Sequence, residues 1–329
     1  MNTNEHGSVS VVMPTWNRAA LLADALASLA AGNRVPDEVV VVDNGSTDDS
    51  VAVARDAGAR VVEMATNAGF ARAVNAGIEA ASGELVAILN NDVVVEADWL
   101  ERLCNAIADS GFAVGKLLGL DGLIDGTWDA VCRGGCSWRC GQGREDGGVW
   151  NAGREVRFAP LTAALFRADV FRQVGMLDDT YGSYLEDVDF GIRCAMRDVR
   201  GIYVPDAVAR HRGSATYGEW SRDTVRLLAR NQVVFVARNL PDSWLARYGW
   251  PVMVAQMLWG LVALRHGRFS AWARGKREGI GLFRALRRDR HVHDAQKFHK
   301  IIREAEDEIQ ALQKATGYDL FWRLYFALT

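Results

Sequence analysis

The chain has little of what marks disordered or membrane-spanning proteins. Its 329 residues include only 6 Pro and 32 Gly, and 49% of them are hydrophobic. This composition leaves no large disordered fraction and suffices for a large core, in one elaborated domain or two. The nearly uncharged stretch 250–264 would form a helix about 22 Å long, short of the roughly 30 Å hydrocarbon core. We therefore expect no membrane-spanning helix.

Signals for export and for structural zinc are also missing. Residues 1–7 are polar and contain neither the basic nor the apolar segment of a signal peptide, so we expect a cytoplasmic protein with reduced thiols. Of the 5 cysteines, Cys132, Cys136 and Cys140 recur at every fourth residue. That spacing matches none of the C-x2-C zinc patterns, which disfavours a structural metal there.

No single charge sign dominates the whole chain, but its two parts differ. Residues 1–240 hold 23 Lys and Arg against 32 Asp and Glu, whereas residues 241–329 hold 15 against 9. The acidic body opposes nucleic-acid binding. In the basic stretch 265–303, cations alternate with Phe269, Trp272, Leu282, Phe283 and Leu286. This pattern favours docking on an anionic membrane surface, at the inner face of the cell membrane, over a helix packed on the rest of the protein.

Apolar runs without polar alternation recur over the first 120 residues. Strands are predicted over 9–13, 38–43, 60–64 and 84–89, and helices over 19–31, from about 48, over 70–81 and over 96–110. Such runs predict an α/β fold whose mostly parallel sheet is covered by helices on both faces. Further on we expect strands over 154–160, 201–205 and 208–211, helices over 167–174 and 185–198, and a helical extension from 218.

Polar loops follow three of the predicted strands, at 14–18, 43–48 and 90–92. Ligands of such sheets bind beyond the carboxyl ends of the strands, so the three loops should share one crevice. The first loop lacks a Gly-rich phosphate turn, which disfavours a dinucleotide-dependent oxidoreductase. The Gly-rich region 120–160 is predicted to be an irregular segment that covers the crevice and is suited to acceptor binding or to a lid. Its tryptophans, Trp128, Trp138 and Trp150, suit either a sugar platform or the core.

Two acidic clusters lie about a hundred residues apart in the chain. Asp92 follows a buried-strand pattern, where a carboxylate can hold a divalent ion against a phosphate. Glu186 and Asp187 open a predicted helix after a loop rich in Gly and Tyr, where a carboxylate can deprotonate an attacking hydroxyl. Helix capping through the dipole is the simpler alternative for the second cluster. Together, the clusters indicate sugar transfer from a nucleotide donor.

Six segments in order, 11–18, 41–48, 67–77, 89–93, 184–190 and 204–211, resemble family 2 inverting glycosyltransferases of the GT-A fold. Within this family, the six segments resemble the rhamnosyltransferase-like branch in particular. The resemblance implies a catalytic domain over 1–240, with a nucleotide-sugar half over about 8–118 and an acceptor half over about 119–240, followed by the basic helical region 241–329. It implies transfer from dTDP-rhamnose, or from a UDP- or GDP-sugar, to a cell-envelope or lipid-linked glycan.

The resemblance also implies roles for individual residues. Nucleotide-sugar binding falls to Pro14, Thr15, Asn17, Asp43, Asn44, Asn67, Gly69, Arg72, Asn75 and Asn91. Within this set Asp43 would accept from the base, Arg72 would reach a phosphate, and Gly69 would permit close backbone approach. Asp187 is implied as the general base, with Glu186 as its helper.

A divalent cofactor, Mn²⁺ or Mg²⁺, is implied at Asp92, Asn90 and His211. The family's usual motif has Asp where Asn90 stands, so we expect weaker metal binding here. His211 as a ligand would favour Mn²⁺, although a structural histidine is an equal alternative. The departure at Asn90 also leaves open a non-catalytic module that binds a nucleotide sugar or a glycan.

Overall fold

The computed structural model describes residues 7–212 and 220–329 of the chain. The predicted start of the helical extension at 218, and most of the polar segment 1–7, lie outside these residues.

The first third of the chain alternates strands and helices as predicted. The elements are β1 (Val9–Thr15), α1 (Ala19–Ala30), β2 (Glu38–Asp43), α2 (Ser50–Asp56), β3 (Arg60–Glu63), α3 (Phe70–Ala80) and β4 (Leu85–Leu89). The strands pair in the order β4-β1-β2-β3, all parallel. Successive side chains of β1 point to opposite faces, so Val11 packs with α1 and Val12 with α3. The strand ends Thr15 and Asp43 are paired in register at one edge of the sheet.

The sheet continues through strands that the sequence pattern revealed only in part. The elements are β5 (Val93–Val95), α4 (Trp99–Ile107), β6 (Phe112–Leu118), β7 (Ile124–Gly126), β8 (Asp129–Val131), β9 (Ser137–Arg139), β10 (Arg154–Val156), β11 (Ala163–Arg167), α5 (Ala168–Val174), α6 (Glu186–Met196) and β12 (Gly201–His211). Of these strands, β10 and β12 were predicted, whereas β5, β6, β7, β8, β9 and β11 were not. Antiparallel β11 joins β4 to β6, which pairs in parallel with β12. The two strands predicted over 201–211 are one strand, irregular between Tyr203 and Val208.

The region 120–160 is packed rather than open. Trp128, Trp138 and Trp150 are buried, and the ring of Trp150 lies 5.8 Å from that of Trp128 and 6.4 Å from that of Trp138. These tryptophans therefore belong to the core, and the sugar-platform interpretation is wrong. The thiols of Cys132, Cys136 and Cys140 are buried and free, and burial raises the pKa of Cys132 to about 12.

Five helices complete the described chain: α7 (Arg222–Asn239), α8 (Asp242–Arg265), α9 (Phe269–Arg288), α10 (Ala295–Thr316) and α11 (Leu320–Leu328). They share cores with the preceding elements, since Phe298 and Ile302 of α10 pack in one cluster with Ile192 of α6. The hydroxyl of Tyr325 accepts from Gly134 N (2.9 Å) and so ties α11 to the turn between β8 and β9. Among the described helices, none combines the length and hydropathy needed to cross a bilayer.

Candidate active site

A cavity of about 330 Å³ opens beyond the carboxyl ends of β1, β2 and β4. Ten of the residues singled out in the sequence line it: Pro14, Thr15, Asn44, Asn67, Asn90, Asn91, Asp92, Glu186, Asp187 and His211. The two acidic clusters therefore face one space, although about a hundred residues separate them in the chain.

The strand-end loops are joined by side-chain amides. Asn91 Nδ2 donates to Thr15 Oγ1 (2.8 Å), and Asn44 Nδ2 donates to Asn67 Oδ1 (3.1 Å). Asp43 accepts from Ser46 N (3.1 Å) through Oδ2, whereas its buried Oδ1 has no hydrogen-bond partner in the described structure. Asp43 does not itself line the cavity, but the next residue, Asn44, does. An unpaired buried carboxylate oxygen is costly, so this atom suits an N–H group of a ligand that reaches past the lining.

Two other residues predicted to bind the nucleotide, Arg72 and Asn75, contact a neighbouring loop instead. Arg72 pairs with Asp179 (Nε to Oδ2, 2.9 Å), and Asn75 donates to Leu177 O (2.9 Å) and accepts from Leu177 N (3.0 Å). Neither side chain lines the cavity, and we withdraw both from the nucleotide pocket. They fasten α3 to the loop before α6.

Gly69 and Asn17 also lie outside the cavity lining. Gly69 has a positive φ of 92°, and a Cβ there would lie 2.8 Å from the carbonyl oxygen of Gly182. Its close backbone approach is therefore to another loop and not to a nucleotide. Asn17 Oδ1 accepts from Thr47 N (2.9 Å), so this side chain holds two strand-end loops together.

His211, at the end of β12, lies between two carboxylates. Its Nε2 is 3.3 Å from Asp92 Oδ1, and its Nδ1 is 2.9 Å from Asp125 Oδ2. Burial lowers the pKa of His211, but the hydrogen bonds that its ring donates to the two carboxylates, together with their negative charges, outweigh burial and raise the pKa to about 9. Asp125 was not foreseen from the sequence. It stands where a second carboxylate fixes the ring of a metal-binding histidine.

The residues around Asp92 fit a divalent ion. Asn90 Oδ1 is buried without a hydrogen-bond partner in the described structure, and the buried Asp92 Oδ1 has there only the long contact of 3.3 Å with His211 Nε2. Carboxylate and amide oxygens with one imidazole are ligands that Mn²⁺ accepts. Within 7–212 and 220–329, no three His, Cys, Asp or Glu side chains cluster tightly enough to hold an ion. An ion here would therefore also need the amide of Asn90 and oxygens of the substrate.

The second acidic cluster opens α6 after a strained turn. Tyr184 and Leu185 have positive φ angles of 73° and 69°, which are unfavourable for residues other than Gly. Asn231 of α7 holds this turn, because its Nδ2 contacts the carbonyl oxygens of Tyr181 (2.9 Å), Ser183 (2.8 Å) and Tyr184 (2.7 Å). Glu186 and Asp187 are thereby fixed at the cavity wall.

Burial separates the roles of these two carboxyl groups. Burial and the neighbouring charge of Asp187 raise the pKa of Glu186 well above its ordinary value. Burial also raises the pKa of Asp187, but Arg139 opposes that rise. Burial and the charge of Asp187 therefore favour the protonated form of Glu186, whereas Arg139 favours the ionised form of Asp187.

Two further residues of the cavity wall carried no signal in the sequence. Asp129 of β8 and Arg139 of β9 line the cavity, and Arg139 Nε is 3.9 Å from Asp129 Oδ1. Burial raises the pKa of Asp129 to about 7. Strands of three residues have no readable periodicity, so only the structure brings this pair beside Asp187.

Asp189 belongs to a separate buried network. It accepts from Arg193 Nε (2.9 Å), Asn239 Nδ2 (2.7 Å) and the Tyr181 hydroxyl (3.1 Å). Although burial raises its pKa, pairing with Arg193 lowers it on balance. This carboxylate joins α6 to α7 and does not line the cavity.

A mixed sheet with a carboxylate-lined cavity at its strand ends is typical of enzymes that act on nucleotide-linked substrates. Residues 10–175 match the family model described as "Glycosyl transferase family 2". The chain therefore belongs to glycosyl transferase family 2 and is a transferase, as the sequence resemblance implied.

Curated relatives support the rhamnosyltransferase-like branch. The N-acetylglucosaminyl-diphospho-decaprenol L-rhamnosyltransferase of Mycobacterium tuberculosis (strain ATCC 25618 / H37Rv) is 29% identical over 276 residues, covering 73% of this chain and 87% of the relative. The pre-mycofactocin glycosyltransferase of the same strain is 30% identical over 220 residues, covering 65% of this chain and 45% of the relative.

Solved structures show the fold. The structure of GalNAc-T7 with UDP, GalNAc and Mn²⁺ has a TM-score of 0.63 at 14% identity, covering 97% of this chain and 59% of GalNAc-T7. The mannosyltransferase PcManGT from Pyrobaculum calidifontis, in complex with GDP-Man and Mn²⁺, has a TM-score of 0.53 at 17% identity, covering 98% and 87%. The predicted GT-A fold with C-terminal helices is confirmed.

Proposed function

We propose that the chain transfers a rhamnosyl group from dTDP-rhamnose, with inversion, to a hydroxyl of a lipid-linked N-acetylglucosamine acceptor in the cell envelope, and that it requires Mn²⁺ or Mg²⁺. The observation that carries the proposal is the shared cavity, lined by Asp92 and Asp187. The rhamnosyltransferase relative supports the sugar and the acceptor class. The presence of Mn²⁺ in both solved neighbours supports a divalent cofactor.

In this proposal Asp187 takes the proton of the acceptor hydroxyl as the oxygen attacks the anomeric carbon. A bond forms from the acceptor oxygen to that carbon while the bond to the diphosphate oxygen breaks, so the configuration inverts. Glu186, kept protonated by burial, leaves Asp187 as the ionised member of the pair. Oδ1 of Asp43 accepts an N–H of the base.

Asp92, Asn90 and His211 would hold the divalent ion, with Asp125 fixing the imidazole. The ion supplies neutralisation of charge on the departing diphosphate. Because a bound ion needs the neutral imidazole, metal binding and protonation of His211 compete.

Purified protein incubated with dTDP-rhamnose and a polyprenyl-diphosphate-linked N-acetylglucosamine tests the proposal. We expect a product heavier by one deoxyhexose, release of dTDP, and loss of both when EDTA replaces Mn²⁺. UDP- and GDP-sugars serve as competing donors, and NMR of the product reads the anomeric configuration. Retention of configuration would exclude the single-displacement mechanism. Calorimetric binding of a donor without any turnover would instead identify a non-catalytic module.

A further inference from the structure

Helix α8 presents an apolar stripe to solvent. Trp250, Met253, Met257, Leu261 and Leu264 are each between 55% and 60% exposed. Their spacing of three and four residues puts all five on one side of the helix. No charged residue occurs between the first and the last of them. Proteins rarely expose a continuous apolar patch of this kind to water, so we expect the stripe to be a binding surface.

Helix α11 widens the stripe. Trp250 Nε1 donates to the carbonyl oxygen of Leu328 (2.8 Å), which brings the end of α11 beside the start of the stripe. Leu320, Leu324 and Leu328 are 52%, 37% and 51% exposed. We call these eight residues of α8 and α11 the apolar face.

Positive charge borders the apolar face. Arg247 and Arg265 are exposed at the two ends of the stripe. Helix α9 packs beside α8, because a Cβ on Gly260 would lie 3.0 Å from the ring of Trp272. The outward side of α9 carries exposed arginines at 274, 277, 284 and 288. Its acidic residue, Glu278, is engaged by Arg226 (2.8 Å) and Arg274 (3.0 Å).

Helix α9 retains part of the set of membrane anchors expected from the sequence. Phe269 and Leu282 are 46% and 37% exposed, whereas Trp272, Phe283 and Leu286 are partly buried against neighbouring helices. The stripe of α8 adds further exposed apolar side chains, and none of the described helices, α8 included, has the length and hydropathy to cross a bilayer.

We infer that the apolar face docks on an anionic lipid bilayer and lies in its interface without crossing it. Anionic headgroups complement the arginines of α9, and the acyl boundary accepts the apolar side chains. A second copy of this chain seated on the same face would bring two sets of α9 arginines together, which disfavours a dimer. The docking goes beyond sugar transfer and does not depend on the donor.

The docked face connects directly to the cavity wall. The turn between β8 and β9 reaches α8, since a Cβ on Gly134 would lie 2.7 Å from Ala255 Cβ and 2.8 Å from Pro251 O. The other end of the same hairpin carries Asp129 and Arg139 into the cavity. Docking would therefore bring the acceptor side of the cavity near the bilayer.

The experiment is co-sedimentation of the full chain with phosphatidylcholine vesicles, with or without phosphatidylglycerol, and without donor or acceptor. We expect binding to the anionic vesicles. Met257→Glu combined with Leu261→Glu should weaken it by at least about tenfold, because two side chains leave the apolar boundary. Leu120→Glu, at a 73% exposed site outside the apolar face, is the matched control and should bind like the wild type. Arg277→Glu should weaken binding by roughly fivefold and only to anionic vesicles.

Brominated lipids provide a test that does not require a charge in the stripe. They should quench tryptophan fluorescence in the wild type, and Trp250→Phe should remove much of that quenching. Circular dichroism and donor binding by calorimetry check that each variant is folded. Failure of the wild type to bind anionic vesicles, or equal binding by the Met257→Glu, Leu261→Glu protein, overturns the inference. If light scattering shows that the wild type is a dimer and that the Met257→Glu, Leu261→Glu protein is a monomer, the apolar face is a protein interface and the inference is likewise overturned. Because the vesicle assay contains no sugar donor, its outcome does not depend on whether the protein transfers a sugar.

Discussion

The two walls of the cavity are built in different ways. On the wall proposed to hold the donor, Thr15 and Asp92 stand at or just beyond the ends of neighbouring strands, and pairing of those strands brings them together. On the wall proposed to face the acceptor, Asp187 and Arg139 depend on distant elements, among them Asn231 of α7. The donor wall thus follows from local topology, whereas the acceptor wall depends on the C-terminal helices. Substitutions far from the cavity should therefore damage the second wall more than the first.

The largest expected effect is on the base itself. Asp187→Asn removes the proton acceptor and should lower kcat by about 10³-fold, whereas Glu186→Gln should lower it by less than about tenfold, because Glu186 is already protonated. Nucleoside diphosphate release at saturating donor measures both. Equal losses in the two variants would refute the division of roles between these carboxyl groups.

Next in size is metal binding on the donor wall. Asp125→Asn should weaken Mn²⁺ affinity by about 10- to 100-fold, because His211 loses the carboxylate that orients its ring. Titration of free Mn²⁺ by electron paramagnetic resonance measures this without turnover. Asp121→Asn, on the same excursion of the chain but exposed, is the control and should bind Mn²⁺ normally. Asn90→Asp should tighten Mn²⁺ binding, since it adds a negative ligand.

Stability compares two supports of the loop before α6, one from α7 and one from α3. Asn231→Ala removes the side-chain donor of the carbonyl oxygens of Ser183 and Tyr184, whereas Tyr181 O keeps its bond from Ser183 N, and should lower the free energy of unfolding by about 2 kcal/mol. Asn75→Ala, which frees a partly exposed loop beside α3, should cost about 1 kcal/mol. Urea denaturation of both variants tests the ranking. A larger loss for Asn75→Ala would mean that the C-terminal helices are not the main support of the acceptor wall.

The smallest effect concerns pH. Asp187 must be ionised to act, so kcat/KM should fall as the pH drops through its raised pKa. Arg139 opposes that rise in pKa, and Arg139→Gln should move the acid limb of the profile to higher pH. Arg139→Lys keeps the charge and should leave the limb near its original position. An unchanged limb in Arg139→Gln would show that Asp187 is not the group that titrates.

Much of the donor half could be predicted from the sequence. Val9–Thr15 and Glu38–Asp43 are runs of branched side chains buried on both faces, and such runs read directly as parallel strands. β6 was missed because Gly115 and Lys116 interrupt its apolar run. The reason for the glycine is visible only in three dimensions, where a Cβ would collide with the carbonyl of Ala207.

The sequence by itself determined the family, the order of the elements from β1 to β4 and the two acidic clusters, because each is carried by residues close together in the chain. Tertiary structure alone decided that Arg72 and Asn75 fasten a loop, that Trp128 belongs to the core, and that Asp125, Asp129 and Arg139 belong to the site. These outcomes depend on contacts between distant segments, and no local pattern encodes which segments will meet. The exposed stripe of α8 has the same origin, because a uniformly apolar helix does not reveal which of its sides will be left uncovered.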